Sequence, residues 1–125
     1  MKIDLIKKFY KNKNILVIGH TGFKGSWLSI CLKDLGAKVF GISKDIPTKP
    51  SHYQLLDFKK QIKDYRFDIR DYKKLKKTIL SIKPDIIFHL AAQSLVKESF
   101  RDPYKTWTTN LMGSINLLEI LKNIN

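Results

Sequence analysis

The sequence predicts an α/β fold, a doubly wound parallel sheet covered by helices, and three observations predict it. A continuous apolar run at residues 15–18 and a second at 86–90, broken only by His89, suit strands buried on both faces. Segments with apolar residues three and four apart alternate with such runs, which is the order that builds a parallel sheet. Gly19, Gly22 and Gly25 fall three apart, directly after the first strand and at the mouth of the first crossover helix. At 125 residues, 43% hydrophobic and 11% aromatic, the chain has length and core material for one domain over residues 1–125.

Residues 2–11 carry Ile3, Ile6, Phe9 and Tyr10 at helical spacing and predict a short lead-in helix. The first strand, 15–18, ends in glycine. After a turn at 19–25, Trp27, Leu28, Cys31, Leu32 and Leu35 mark a helix that Gly36 stops. Residues 38–42 predict the second strand, and 43–53, with Pro47 and Pro50, a loop. A short helix over 53–58 and a third strand over 65–69 follow. Residues 71–82 then predict a lysine-rich helix with Leu75, Ile79 and Ile82 on one face. Pro84 ends it ahead of a fourth strand at 85–90. Asp102-Pro103 places a capping acid before a proline at the first helical position. One long helix is expected from there to 122, with Tyr104, Trp107, Leu111, Ile115 and Leu118 in step.

Lysine and arginine number 24 against 11 acids, a net charge of +13. Only Arg66, Arg70 and Arg101 are arginines, whereas base-reading surfaces lean on the bidentate guanidinium. A solvated lysine surface is therefore the reading, and no nucleic-acid partner is expected. Cys31 stands alone, which excludes an internal disulfide and a cysteine-based metal cluster. His20, His52 and His89 share no ligand spacing, so no metal is expected. No G-x-S-x-G elbow presents a serine nucleophile, and His89, on a buried strand, reads as a hydrogen-bonded core residue. Lys2, Asp4, Lys7 and Lys8 interrupt the apolar residues at the N-terminus, unlike a signal peptide. No run approaches the ~18 apolar residues of a bilayer span. The chain reads as cytoplasmic, with no membrane partner.

The turn after the first strand, GHTGFKGSWL, carries the chemistry. Gly19 permits the sharp turn, Gly22 lets a pyrophosphate approach the backbone, and Gly25 lets the helix pack closely on the sheet. The helix N-terminus offers unpaired N–H groups and the positive end of its dipole to phosphate. A glycine triplet alone is weak evidence. Here it follows a strand and opens a helix inside a βαβ unit, the context a dinucleotide site requires. A nucleoside-triphosphate P-loop is excluded, because Lys24-Gly25 stand where it needs glycine and then lysine.

The G-x-x-G-x-x-G spacing resembles the extended branch of the short-chain dehydrogenase/reductase superfamily, which acts on nucleotide sugars. With DIRD at 68–71, HLAAQ at 89–93 and TNLMGSINLLE at 109–119, the chain is most similar to the CDP-glucose 4,6-dehydratase family, over residues 9–122. The resemblance implies a Rossmann-like domain binding NAD, with Gly19, Gly22 and Gly25 in the pyrophosphate loop and Phe23 and Lys24 supplying backbone beside it. It implies that Asp68 takes the adenine amino group and Ile69 covers a face of the ring. Ala91, Ala92 and Gln93 match the turn that leaves room for the cofactor's ribose and phosphates. Asn110 matches the asparagine that helps order the active-site end. Read singly, Asp68 is also a cap, Ala91-Ala92 simple packing, and Asn110 a locally satisfied helix residue; they gain weight jointly. Ser43 stands where an NAD-preferring fold keeps its acid, with Lys44 and Asp45 beyond it, so NADP stays open.

The implied chemistry moves hydride from sugar C4 to the nicotinamide, eliminates water across C5 and C6, and returns hydride to C6. It needs a tyrosine with a lysine four residues on, plus a threonine and an acidic pair. Tyr72 and Lys76 have that spacing but precede the fourth strand on a solvent-facing helix, and they are rejected. The chain is thus expected to be the N-terminal, cofactor-binding part of a longer enzyme, inactive on its own, with no catalytic residue assigned. Its fourth strand would keep an open apolar edge, and the 103–122 helix implies a homodimer in the intact protein. Two other readings remain beside this: a non-catalytic dinucleotide-binding module, and part of a GDP-mannose 4,6-dehydratase or nucleotide-sugar epimerase.

Overall fold

A computed structural model describes residues 3–57 and 61–124. Helix α1 (Ile3–Tyr10) leads into β1 (Asn14–Ile18), followed by α2 (Phe23–Asp34), β2 (Lys38–Ser43) and α3 (His52–Leu55). Next come β3 (Lys63–Arg66), α4 (Tyr72–Ile82) and β4 (Ile86–His89). Two short helices, α5 (Val96–Arg101) and α6 (Pro103–Trp107), precede a π-helical turn (Thr108–Met112) and α7 (Gly113–Lys122). Every strand pairing is parallel, in the order β3-β2-β1-β4. The expected Rossmann-like sheet is present.

Side chains alternate across a strand, so β1, central and buried on both faces, feeds two cores at once. Leu16 and Ile18 join Ile42, Leu75, Ile79, Leu117 and Ile120 beneath α4 and α7. Ile15 and Val17 join Leu32, Val39 and Tyr53 beneath α2 and α3. All four apolar residues of β1 are fully buried. Strand order runs outward from β1 to β3 and then jumps back to β4, so the chain reverses between β1 and β4. The crevice beyond the C-terminal ends of those two strands is where open α/β sheets bind ligands.

Three expectations need correction. The third strand is Lys63–Arg66, not 65–69, because its register against β2 pairs Phe40 with Lys63 and Ser43 with Arg66. It is a polar edge strand, which an apolar-run reading passes over. The helix expected over 53–58 is one turn, His52–Leu55, capped by the Ser51 hydroxyl on the Gln54 N–H. The single long helix is broken: α6 passes into a π turn before α7, and α5 lies ahead of it with no buried residue. The stripe Tyr104, Trp107, Leu111, Ile115 and Leu118 is exposed, and the side chains that enter the core are Leu117 and Ile120. Lys2 and Phe58, at the ends of two expected helices, lie outside the described residues. Among those described, no helix is long and apolar enough to cross a membrane.

Candidate dinucleotide-binding cleft

A cleft of about 310 Å³ opens at the β1/β4 reversal, between the turns that follow β1, β2 and β4 and the Phe67–Arg70 segment. Gly19 adopts φ 95°, and its N–H donates to the Ile42 carbonyl at 2.7 Å. A Cβ there would meet the Ala91 nitrogen at 2.7 Å, so the turns after β1 and β4 approach only because residue 19 lacks a side chain. Gly25 is buried beneath the turn, where a Cβ would overlap Gly19 and lie 2.8 Å from the His20 Cα. Gly22 is different. A Cβ on it would touch only the Gly19 oxygen, at 3.4 Å, so the fold itself leaves that space clear.

Gly22 is also the N-cap residue of α2 and offers no side-chain bond. The Ser26 N–H bonds back to the Gly22 carbonyl at 2.9 Å. The preceding amides, of Phe23, Lys24 and Gly25, have no intrahelical acceptor by the geometry of a helix start. Such a mouth suits an anion. The side chains of Phe23 and Lys24 are themselves exposed and off the cleft wall.

Asp68 lines the opposite wall. Its Oδ1 accepts from the Arg70 N–H at 2.9 Å and Nε at 3.0 Å, and its Oδ2 from Nη2 at 2.7 Å. The Lys44 ammonium stands 3.4 Å from Oδ2. The Arg70 guanidinium, aided by its backbone N–H and by Lys44, holds this carboxyl well below the usual carboxylate range. Asp68 is therefore a fixed anion, with lone pairs remaining on Oδ2 for a further donor. Ile69 is buried beside it and lines the cleft, seated against α7 where Gly113 has no side chain to collide with its Cγ2.

Ala91, Ala92 and Gln93 form the third wall. The Gln93 side chain turns back into its own loop: Oε1 accepts from the Leu95 N–H at 2.7 Å, and Nε2 donates to Thr106 Oγ1 at 2.9 Å. Its backbone is gripped from behind by Asn110, whose Oδ1 accepts the Gln93 N–H at 2.7 Å and whose Nδ2 donates to the Gln93 carbonyl at 3.0 Å. Asn110 thus stands outside the cleft and holds the wall in place. Tyr72 and Lys76 do not line the cleft, and the Lys76 ammonium sits 6.0 Å over the Tyr72 ring.

A buried polar network supports the first wall, and sequence reasoning gave it no place. His20 is fully buried, with Nδ1 3.0 Å from Ser43 Oγ and Nε2 3.0 Å from Asp64 Oδ1. The second contact is not an aligned hydrogen bond. Tyr53 donates its hydroxyl to Asp64 Oδ2 at 2.6 Å, and Arg66 reaches the same oxygen at 2.9 Å. Burial lowers the His20 pKa despite the neighbouring Asp64 carboxylate, so the ring stays neutral. Ser43 Oγ also accepts from the Thr21 N–H at 3.3 Å, and Thr21 donates to the Asp45 carbonyl at 2.6 Å. The position expected to carry an acid is therefore an internal strut. A Cβ at Gly41 would overlap the His20 ring, so β2 passes that ring only without a side chain there.

Residues 16–125 match the family model described as GDP-mannose 4,6 dehydratase. CDP-glucose 4,6-dehydratase of Salmonella typhimurium is 45% identical over 118 residues, covering 94% of this chain and 33% of that protein. UDP-glucose 4-epimerase of Mycoplasma genitalium is 32% identical over 110 residues, covering 88% and 32%. Among solved structures, epimerase Mth375 of Methanothermobacter thermautotrophicus superposes with a TM-score of 0.82 at 29% identity, over 96% of this chain and 34% of that one. UDP-glucose 4-epimerase of Thermus thermophilus, solved as its NAD complex, gives 0.76 at 30% identity, over 86% and 33%. The chain spans about a third of the length of these relatives. With the glycine turn, the β1/β4 crevice and the matched span in agreement, the chain belongs to the GDP-mannose 4,6 dehydratase family.

Proposed function

We propose that this chain is the cofactor-binding part of a nucleotide-sugar 4,6-dehydratase, acting on CDP-glucose and holding NAD. The clear space at Gly22 carries the cofactor assignment. It is a cradle that packing does not require, at a helix mouth with donors to offer, and a diphosphate fits it. In this reading Gly19, Gly22 and the first amides of α2 hold the diphosphate, and Asp68 and Ile69 hold the adenine. Ala91 and Ala92 leave room for ribose, while Asn110, through Gln93, keeps that wall in register. A dinucleotide held there would supply the hydride-transfer chemistry. The 45% identity to a CDP-glucose enzyme over 94% of the chain supports the substrate assignment.

NAD is favoured over NADP at the ribose end. The Lys44 ammonium is already beside Asp68, and Asp45 lines the same wall, so a 2′-phosphate meets an acid as well as a base. The exposed stripe of Trp107, Leu111 and Leu118 supports a homodimer through α6 and α7.

Calorimetric titration of the chain with NAD and with NADP tests this reading. Saturable 1:1 binding of NAD, tighter than NADP and weakened at least about tenfold by Gly22→Val, is expected. No dinucleotide binding, or equal binding by Gly22→Val, overturns it. Residues 1–125 alone are expected to leave CDP-glucose unconverted, because among the described residues no tyrosine–lysine pair lines the cleft.

A further inference from the structure

In a parallel sheet all strands begin at one end, and here that end gathers lysine. Lys38 and Lys63 are the first residues of β2 and β3, and both are exposed. Lys13 precedes β1, and Lys83 ends α4 just ahead of β4. The cleft lies at the opposite end. Of the acids flanking this end in sequence, Asp4 opens α1 and Asp34 closes α2, Asp64 is held by Tyr53 and Arg66, and Asp85 is engaged through Oδ2 by the Asn14 N–H at 2.7 Å.

Helix α1 adds an apolar flank beside these charges. Ile6 and Tyr10 turn inward, and Tyr10 packs on the core beneath α2. Leu5 and Phe9, four residues apart and so on one face, stay 63% and 55% exposed. The Lys13 ammonium lies 5.1 Å over the Phe9 ring, placing a charge against the apolar flank. Lysine gathered beside exposed aromatic and aliphatic side chains is the composition of a surface that lies on anionic lipid. Nucleic acid would use the arginines, and none of Arg66, Arg70 or Arg101 is at this end.

We propose that the strand-start end of the sheet, with the Leu5–Phe9 flank of α1, is a docking surface for an anionic lipid bilayer. The expectation of no membrane partner rested on the lack of a span, and surface docking needs none. Docking this way leaves the cleft facing away from the lipid. The inference is independent of what the cleft binds.

The test is sedimentation of the purified chain with sucrose-loaded vesicles, one set of phosphatidylcholine and one with about a third phosphatidylglycerol. Partitioning at least about tenfold stronger to the anionic set, falling as salt rises, is expected. The pair Lys38→Glu and Lys63→Glu is expected to lower it on the order of tenfold or more. Leu5→Ser with Phe9→Ser is expected to remove the part that survives high salt. Circular dichroism and dinucleotide titration, unchanged in these variants, show that fold and cleft persist. Equal pelleting with both vesicle sets, none with either, or undiminished pelleting of the glutamate pair overturns the proposal. So does tight, salt-sensitive binding of duplex RNA by a chain that ignores vesicles.

Discussion

Two glycines of one motif answer to different forces. Gly25 is required by packing, since a methyl group would drive into Gly19 and His20; Gly25→Ala is expected to cost about 1–3 kcal/mol in urea unfolding. Gly22→Ala should leave the unfolding midpoint nearly unchanged, because its methyl meets one oxygen at 3.4 Å. Its effect belongs in a ligand titration. Two histidines, His20 buried and His89 half-buried, carry a pH signature. Burial lowers the pKa of both His20 and His89, so below about pH 6.5 the unfolded chain takes up protons that the folded chain refuses. Stability is then lost as pH falls through that range, by up to about 1.4 kcal/mol per pH unit for each ring. Urea midpoints at pH 7.5 and 5.5 measure it, and His20→Gln should flatten the dependence; an unaltered slope removes His20 as its source. The glycines were legible in the sequence because their spacing is local. The His20 network was not, since Ser43 and Asp64 meet it only after β2 and β3 have paired.

The α6–α7 region shows how an element can be read in part. Its start was visible in Asp102-Pro103, and the Asp102 carboxylate does accept the Lys105 N–H at 2.9 Å. The π turn was not visible, because apolar spacing across it continues as in any helix. Its place is set from outside: Asn110 faces Gln93 on one side, and Gly113 faces Ile69 on the next turn. A turn with one residue more than the α-helix lets both contacts be met, in keeping with the occurrence of π turns at functional sites. Asn110→Ala would leave the Gln93 N–H and carbonyl without those partners. An expected loss of about 1–3 kcal/mol should appear as faster amide exchange over residues 91–95, with α4 unaffected. Helix α5 was missed and strand β3 was placed two residues late for a shared reason: α5 has no buried side chain, and β3 is an edge strand with three charged residues and one aromatic.

At the scale of the molecule, two surfaces ask to be covered. Strand β4 pairs with β1 alone among the described residues, so its outer edge presents unpaired backbone groups. The helical stripe exposes Trp107 at 68% and Leu118 at 65%. If that stripe joins two copies, Trp107→Glu with Leu118→Glu should halve the mass seen by light scattering without altering circular dichroism. A variant that keeps the parent's dimeric mass removes the stripe from the interface. Fold class was readable because β1 is buried on both faces, whereas strand order and pairing partners at the edges are not written in any local pattern. The cleft has a temporal consequence too. All its wall residues fall between Ile18 and Thr109, so a chain emerging from the ribosome carries every lining residue before α7 is made. A ligand caught at that moment would act as a splint, tying the turns after β1 and β4 together before anything downstream has begun to fold.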